Sequence, residues 1–151
     1  MIISDQERAF IKCRPVGRLG TADAAGYPHV VPVCFAIAGN TIYIPVDEKP
    51  KRGDPRALKR LRNIVENERV CLMIDRYAAD WTELGWVMLR GRALVERNAA
   101  EFATGLELLR ARYHQYRTMV LEERPMIIID VELCTSWGDI AASAGMPSAA
   151  D

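Results

Sequence analysis

The sequence predicts a mainly β domain with three helices, on three observations. Six runs read as strands: 16–22, 29–37, 41–46, 69–77, 86–95 and 126–133. The first three are joined by tight turns, which makes an antiparallel meander. Three other stretches place apolar side chains at helical spacing. With 151 residues this is one domain, taken as residues 1–138, and 139–151 is a flexible Ala-, Ser-, Gly- and Pro-rich tail.

Taken in order, Ser4 and Glu7 have capping-box spacing and open a short helix that Pro15 ends. Val16–Ala22 is a strand and Asp23–Gly26 a turn. His29–Ile37 is the most regular strand. Pro32 cannot donate to a ladder, so it marks an edge or a bulge. Ala38-Gly39-Asn40 turns the chain into Thr41–Val46. The segment Asp47–Pro55 then collects Lys49, Lys51 and Arg52 between Pro50 and Pro55.

Asp54 suits an N-cap and Pro55 a first-turn position. Leu58, Leu61 and Val65 form the apolar side of that helix, which leaves Arg56, Lys59 and Arg60 towards solvent. The run Val70–Ile74 suggests a strand buried on both faces. In Trp86–Val95, Trp86, Met88, Arg90 and Arg92 share one side, and Val87, Leu89, Gly91 and Ala93 the other. Asn98 and Glu101 open a helix striped by Phe102, Leu106, Leu109, Tyr113 and Tyr116.

Composition narrows the function. Net charge is zero, which argues against a nucleic-acid binder. No apolar run is long enough for a membrane span, and the N-terminus lacks a signal-peptide pattern, so a cytoplasmic protein is expected. Cys13, Cys34, Cys71 and Cys134 are widely spaced and far from His29 and His114, so no metal site is expected.

No nucleophile, P-loop or GxGxxG motif is present. Hard chemistry would therefore come from an organic cofactor. The parts for one exist. Lys49, Lys51 and Arg52 suit a phosphate. Val31-Pro32-Val33 offers a flat wall, and Trp81 and Trp86 suit an aromatic ring, or else fill a core or interface. His29 by itself reads as a surface or packing residue.

The order of these parts resembles the pyridoxamine 5'-phosphate oxidase-like split-barrel flavoproteins, in particular the branch of coenzyme F420 (deazaflavin)-dependent enzymes. The residues that carry the resemblance are Arg18–Asp23, Gly26–Val33, Asp47–Arg52, Leu61–Ile64 with Asn67, Arg69-Val70, Trp86-Val87 and Gly91–Ala93. It implies a six-stranded antiparallel split barrel and a homodimer with cofactor sites at the subunit interface. It places Lys49, Lys51 and Arg52 at the cofactor phosphate. The second strand, with His29, Val31, Pro32 and Val33, would run along the ring system, and Trp86 would contact ring or phosphate. The second-strand arginine and lysine of true pyridoxamine phosphate oxidases are absent, as is their C-terminal signature after Trp137. Vitamin B6 oxidation is therefore not expected.

The turn Glu48–Arg52 favours coenzyme F420 over FMN. The implied activity is hydride transfer to a small unsaturated or carbonyl-conjugated substrate. An FMN-dependent oxidoreductase is the alternative within the fold, and a non-catalytic flavin or haem carrier is the alternative outside enzymes.

Overall fold

The computed structural model describes residues 1–47, 58–97 and 99–141. Helix α1 spans Asp5–Lys12, and its capping box forms as the sequence predicts: Ser4 Oγ accepts from Glu7 N at 3.2 Å, and Glu7 Oε2 accepts from Ser4 N at 2.9 Å. The strands are β1 (Gly17–Ala22), β2 (Pro28–Val33), β3 (Ala36–Ala38), β4 (Thr41–Pro45), β5 (Arg69–Arg76), β6 (Gly85–Glu96) and β7 (Met126–Gly138). Helix α2 is Lys59–Glu66 and α3 is Ala100–Arg112.

The sheet has seven strands in the order β2-β1-β5-β6-β7-β4-β3 and is antiparallel throughout. Among the described residues its ladder does not close, and it has seven strands where six were expected. The two end strands, β2 and β3, are separated by only Cys34 and Phe35 in the chain. A sheet whose two edges are joined by two residues must curl until those edges lie side by side. That is how an open ladder becomes barrel-like.

The seventh strand arises because the run expected as one strand, 29–37, breaks at Phe35. Backbone groups of Phe35 are taken by α3 and the residue after it. Phe35 N donates to Tyr113 Oη at 3.2 Å, and Phe35 O accepts from Tyr113 Oη at 3.0 Å and from Arg112 Nη1 at 2.9 Å. A residue bonded this way cannot continue a ladder. Its ring is fully buried and lies under the Arg112 guanidinium, 4.6 Å from carbon to ring centroid. Arg112 also donates to the carbonyls of Ile11, Lys12 and Arg14, so one side chain ties α1, the edge junction and α3 together.

β6 and β7 form the long spine, paired from Gly85↔Gly138 to Glu96↔Met126 with an irregularity at Arg90/Gly91. At Gly91 a Cβ would lie 2.0 Å from the Asp130 carbonyl oxygen, so only glycine admits this approach. The alternation expected for β6 holds, with Val87, Leu89, Gly91 and Ala93 buried. β5 is corrected: Val70, Leu72 and Ile74 are buried, but Cys71 and Met73 on its other face are half-buried. The barrel interior holds Leu19, Phe35, Ile44, Leu72, Ile74, Leu89 and Ile127. A second apolar cluster lies beneath α3, where Phe102, Leu106 and Leu109 are buried as the stripe predicts. That stripe leaves the helix at its end, because Tyr116 belongs to a separate 3-10 turn, His114–Arg117. The cap position of α3 is Ala99; the expected cap Asn98 lies outside the described residues.

Candidate functional site

A cleft opens beside the junction of the two sheet edges. Its volume is about 220 Å³, and it is lined by Val16, Pro32, Val33, Cys34, Pro45, Asp47 and Arg60. Two of the lining residues are prolines on opposing strands, β2 and β4. Neither can donate a backbone hydrogen bond, so the strands do not zip together here. The result is an apolar wall with one cation and one anion on it.

Arg60 is the cation. It is 7 % exposed, which corrects the expectation that it faces solvent. The helix phase explains the difference. The buried side of α2 is Arg60, Leu61, Asn63 and Ile64, while Val65, expected in the apolar stripe, is 80 % exposed. Three polar contacts turn α2 this way. Asn63 Nδ2 donates to Thr21 Oγ1 at 3.0 Å in the interior, Ala24 N donates to Glu66 Oε2 at 3.1 Å, and Lys59 Nζ pairs with Asp23 Oδ2 at 3.7 Å. Asp23 also accepts from Tyr27 N and Ala25 N, each at 3.0 Å. The Tyr27 bond foremost holds its carboxyl below the ordinary value. The β1–β2 turn and α2 are thus fastened together, and Arg60 is carried into the cleft. The expected N-cap Asp54 and Pro55 lie outside the described residues; the described helix starts after Leu58.

Asp47 is the anion. Tyr116, 3 % exposed, donates to its Oδ2 at 2.6 Å. Burial foremost, then the bond to Asp47 and the nearby Cys34, push the tyrosine pKa well above its ordinary value. Tyr116 therefore stays protonated and remains a donor.

The sequence-predicted site residues fall in different places. Lys49, Lys51 and Arg52 lie outside the described residues. The described chain stops at Asp47, which lines the cleft, and resumes at Leu58, two residues before Arg60, which also lines it. Pro32 and Val33 are on its wall. Val31 packs against the barrel core. His29 is four residues from Val33, roughly 13 Å along β2. It lines a separate shallow cleft with Val30, Cys71 and Arg90. Trp86 sits half-buried on β6, three strands from β2 in the sheet order, roughly 14 Å away. Trp81 is 82 % exposed on a 3-10 turn, which removes the core alternative for it.

Sequence reasoning missed Arg60, Asp47 and Tyr116 as a set. The pairing of Asp47 with Tyr116 spans 69 residues. The usable signal for Arg60 was the polar residue pair Arg60 and Asn63 at i, i+3 beside Ile64. Among the described residues no three His, Cys, Asp or Glu side chains gather as a metal site. No helix among them is long and apolar enough to cross a membrane.

Comparison with known proteins agrees with this fold. The profile of the family described as Pyridoxamine 5'-phosphate oxidase matches residues 3–138. A curated relative, the 5a,11a-dehydrotetracycline/5a,11a-dehydrooxytetracycline reductase of Streptomyces rimosus, is 31% identical over 75 residues. That match covers 50% of this chain and 50% of the relative, so the chain aligns with about half the length of that protein. A heme binding protein from Mycobacterium smegmatis superposes with a TM-score of 0.71 at 19% identity, over 89% of this chain and 53% of that one. The heme storage protein HutZ of Vibrio cholerae superposes with a TM-score of 0.68 at 15% identity, over 91% and 95%. At these identities the likeness of the two structures is one of fold.

Proposed function

Because the chain belongs to the pyridoxamine 5'-phosphate oxidase family, we propose that it is an oxidoreductase using coenzyme F420, with FMN the alternative, to reduce a small unsaturated or carbonyl-conjugated substrate. The observation that carries this reading is the cleft. It joins a flat apolar wall (Pro32, Val33) to a buried guanidinium (Arg60), and Asp47 on its lining directly precedes in sequence the segment holding Lys49, Lys51 and Arg52. The reductase relative supports the reaction class.

The donor set fits a phosphorylated cofactor. Arg60 and the basic segment supply charge-assisted bonds to phosphate oxygens. The volume sets a limit: about 220 Å³ is below the roughly 300–1,000 Å³ of sites that enclose a whole organic ligand. The cleft therefore takes the phosphate and chain, and the ring system lies outside it, along β2. When bound, the cofactor supplies the hydride. The protein orients it and keeps water from one side.

The ring then needs a second cover, which a homodimer provides. Val30, Leu133 and Trp137 project from one face of the sheet, at 65%, 48% and 53% exposure, and Trp81 stands out on the adjacent turn. Exposed large apolar side chains on one sheet face, with Arg90 among them, fit an interface between two copies.

A second reading is a haem or flavin carrier, favoured by the haem-binding names of two structural neighbours. The readings separate by titrating coenzyme F420, FMN and haem into one preparation and then assaying a panel of enones and quinones. Binding of F420 or FMN with turnover supports the proposal, whereas binding without turnover supports the carrier. Replacing Lys49, Lys51 and Arg52 together by alanine should weaken cofactor binding by ~100-fold, taking each charge-assisted bond as ~1.5 kcal/mol and allowing for non-additivity. Unchanged affinity would remove the basic segment from the site.

A further inference from the structure

Asp47 stands where two clefts meet. It lines the 220 Å³ cleft with Arg60, and also a second cleft of about 390 Å³ with Thr118, Met119, Val120 and Arg124. Its Oδ2 is held from behind by Tyr116. Among the described residues its Oδ1 has no hydrogen-bond partner.

The tyrosine is itself held. Arg110 Nε donates to Tyr116 O at 3.0 Å, Arg110 Nη2 to Met119 O at 2.9 Å, and Arg110 Nη1 pairs with Glu122 Oε1 at 2.6 Å. The Tyr116 ring also packs on Tyr113, with centroids 5.4 Å apart. A carboxylate backed by this frame cannot swing away when a ligand enters. It repels a bare anion and gains from a ligand that brings an O–H or N–H donor. On the same cleft Arg60 favours negative charge. The two together suit one kind of group: a hydroxylated chain that ends in an anion.

We propose that Asp47, positioned by Tyr116, is a specificity-determining residue that accepts a hydrogen bond from a hydroxyl of the cofactor's sugar-alcohol chain. The inference rests on the cofactor reading above, and it assigns a different part of the cofactor from the one the basic segment holds. The carboxylate selects the hydroxylated chain, while the cations select the phosphate. Tyr116 contributes by fixing which oxygen of Asp47 is presented.

The test is a binding series on one ring system: lumiflavin (ring only), riboflavin (ring and hydroxylated chain) and FMN (chain and phosphate). The same series on the 5-deazaflavin ring runs in parallel, and the result is read on the ring that binds. Dissociation constants come from fluorescence titration of wild type, Asp47→Asn and Tyr116→Phe, with thermal unfolding of each variant as the check on folding. In wild type, adding the chain should tighten binding by ~10-fold or more, the worth of a hydrogen bond to a charged group. Asp47→Asn and Tyr116→Phe should each shrink that step, and leave the gain from adding the phosphate unchanged.

If wild type binds and Asp47→Asn keeps the full chain step, the inference is overturned while the cofactor reading stands. A uniform loss across all three ligands, tracking a lowered thermal midpoint, would show a structural role only and overturn it equally. If wild type binds no member of either series, the cofactor reading fails and this inference falls with it.

Discussion

Tyr113 and Tyr116 are three residues apart, the first half-buried and the second buried, yet they are used differently. Tyr113 Oη donates towards the carbonyls of Pro15 and Phe35, at 2.7 and 3.0 Å, and accepts from Phe35 N. Every one of these hydrogen bonds is to backbone, and the result is the junction where the curled sheet meets itself. Tyr116 contacts a carboxylate on the rim of a cleft. Polar groups bonded to one another stabilise a fold. Polar groups that lead towards space point to a ligand. The contrast separates the structural half of this region from the candidate functional half.

The largest effect belongs to the structural side. Arg112→Ala removes donors to the carbonyls of Phe35, Ile11, Lys12 and Arg14 and a cation over two aromatic rings. It should cost ~3 kcal/mol in urea unfolding, because the part-buried Arg14 carbonyl loses its side-chain donor and the buried Phe35 ring loses the cation above it. Cofactor affinity of the fraction still folded should not change. A weakened affinity at full folding would blur the comparison and move the junction into the site.

A smaller effect follows from pH. Burial raises the pKa of both tyrosines above 10.0, aided at Tyr116 by Asp47. The unfolded chain then loses these protons first. Stability from the two groups is fully present below pH 10 and falls as pH rises beyond it, by at most ~1.4 kcal/mol per pH unit for each tyrosine. Unfolding midpoints at pH 8, 10 and 11 should show that slope, and Tyr113→Phe and Tyr116→Phe should each reduce it. The two variants are then told apart by binding, which only the second should weaken.

Legibility in the sequence followed range. The capping box of α1, the turn at Asp23, the alternation of β6 and the apolar stripe of α3 depend on residues within a few positions of one another, and the sequence predicts them. The break at Phe35 depends on Arg112 and Tyr113, 77 and 78 residues away, and nothing local in His29–Ile37 announces it. The spacing of Leu58, Leu61 and Val65 predicts one phase for α2, but contacts to Thr21, Asp23 and Ala24 decide another, and they turn Arg60 inward. The cleft was half visible for the same reason. Pro32 and Val33 come from a regular strand, whereas Asp47 and Tyr116 meet only after β4 and the turn following α3 have been brought together.

We propose that this cleft holds the phosphate-bearing part of a flavin-type cofactor through Arg60. Equilibrium titration of coenzyme F420 and FMN into wild type and Arg60→Gln tests it most directly, with riboflavin as the phosphate-free control. Wild type should bind F420 more tightly than FMN. Arg60→Gln should weaken both by ~10-fold or more, the worth of a charge-assisted bond, with riboflavin nearly unaffected. Equal affinities of wild type and a folded Arg60→Gln variant for the phosphorylated cofactors would contradict it.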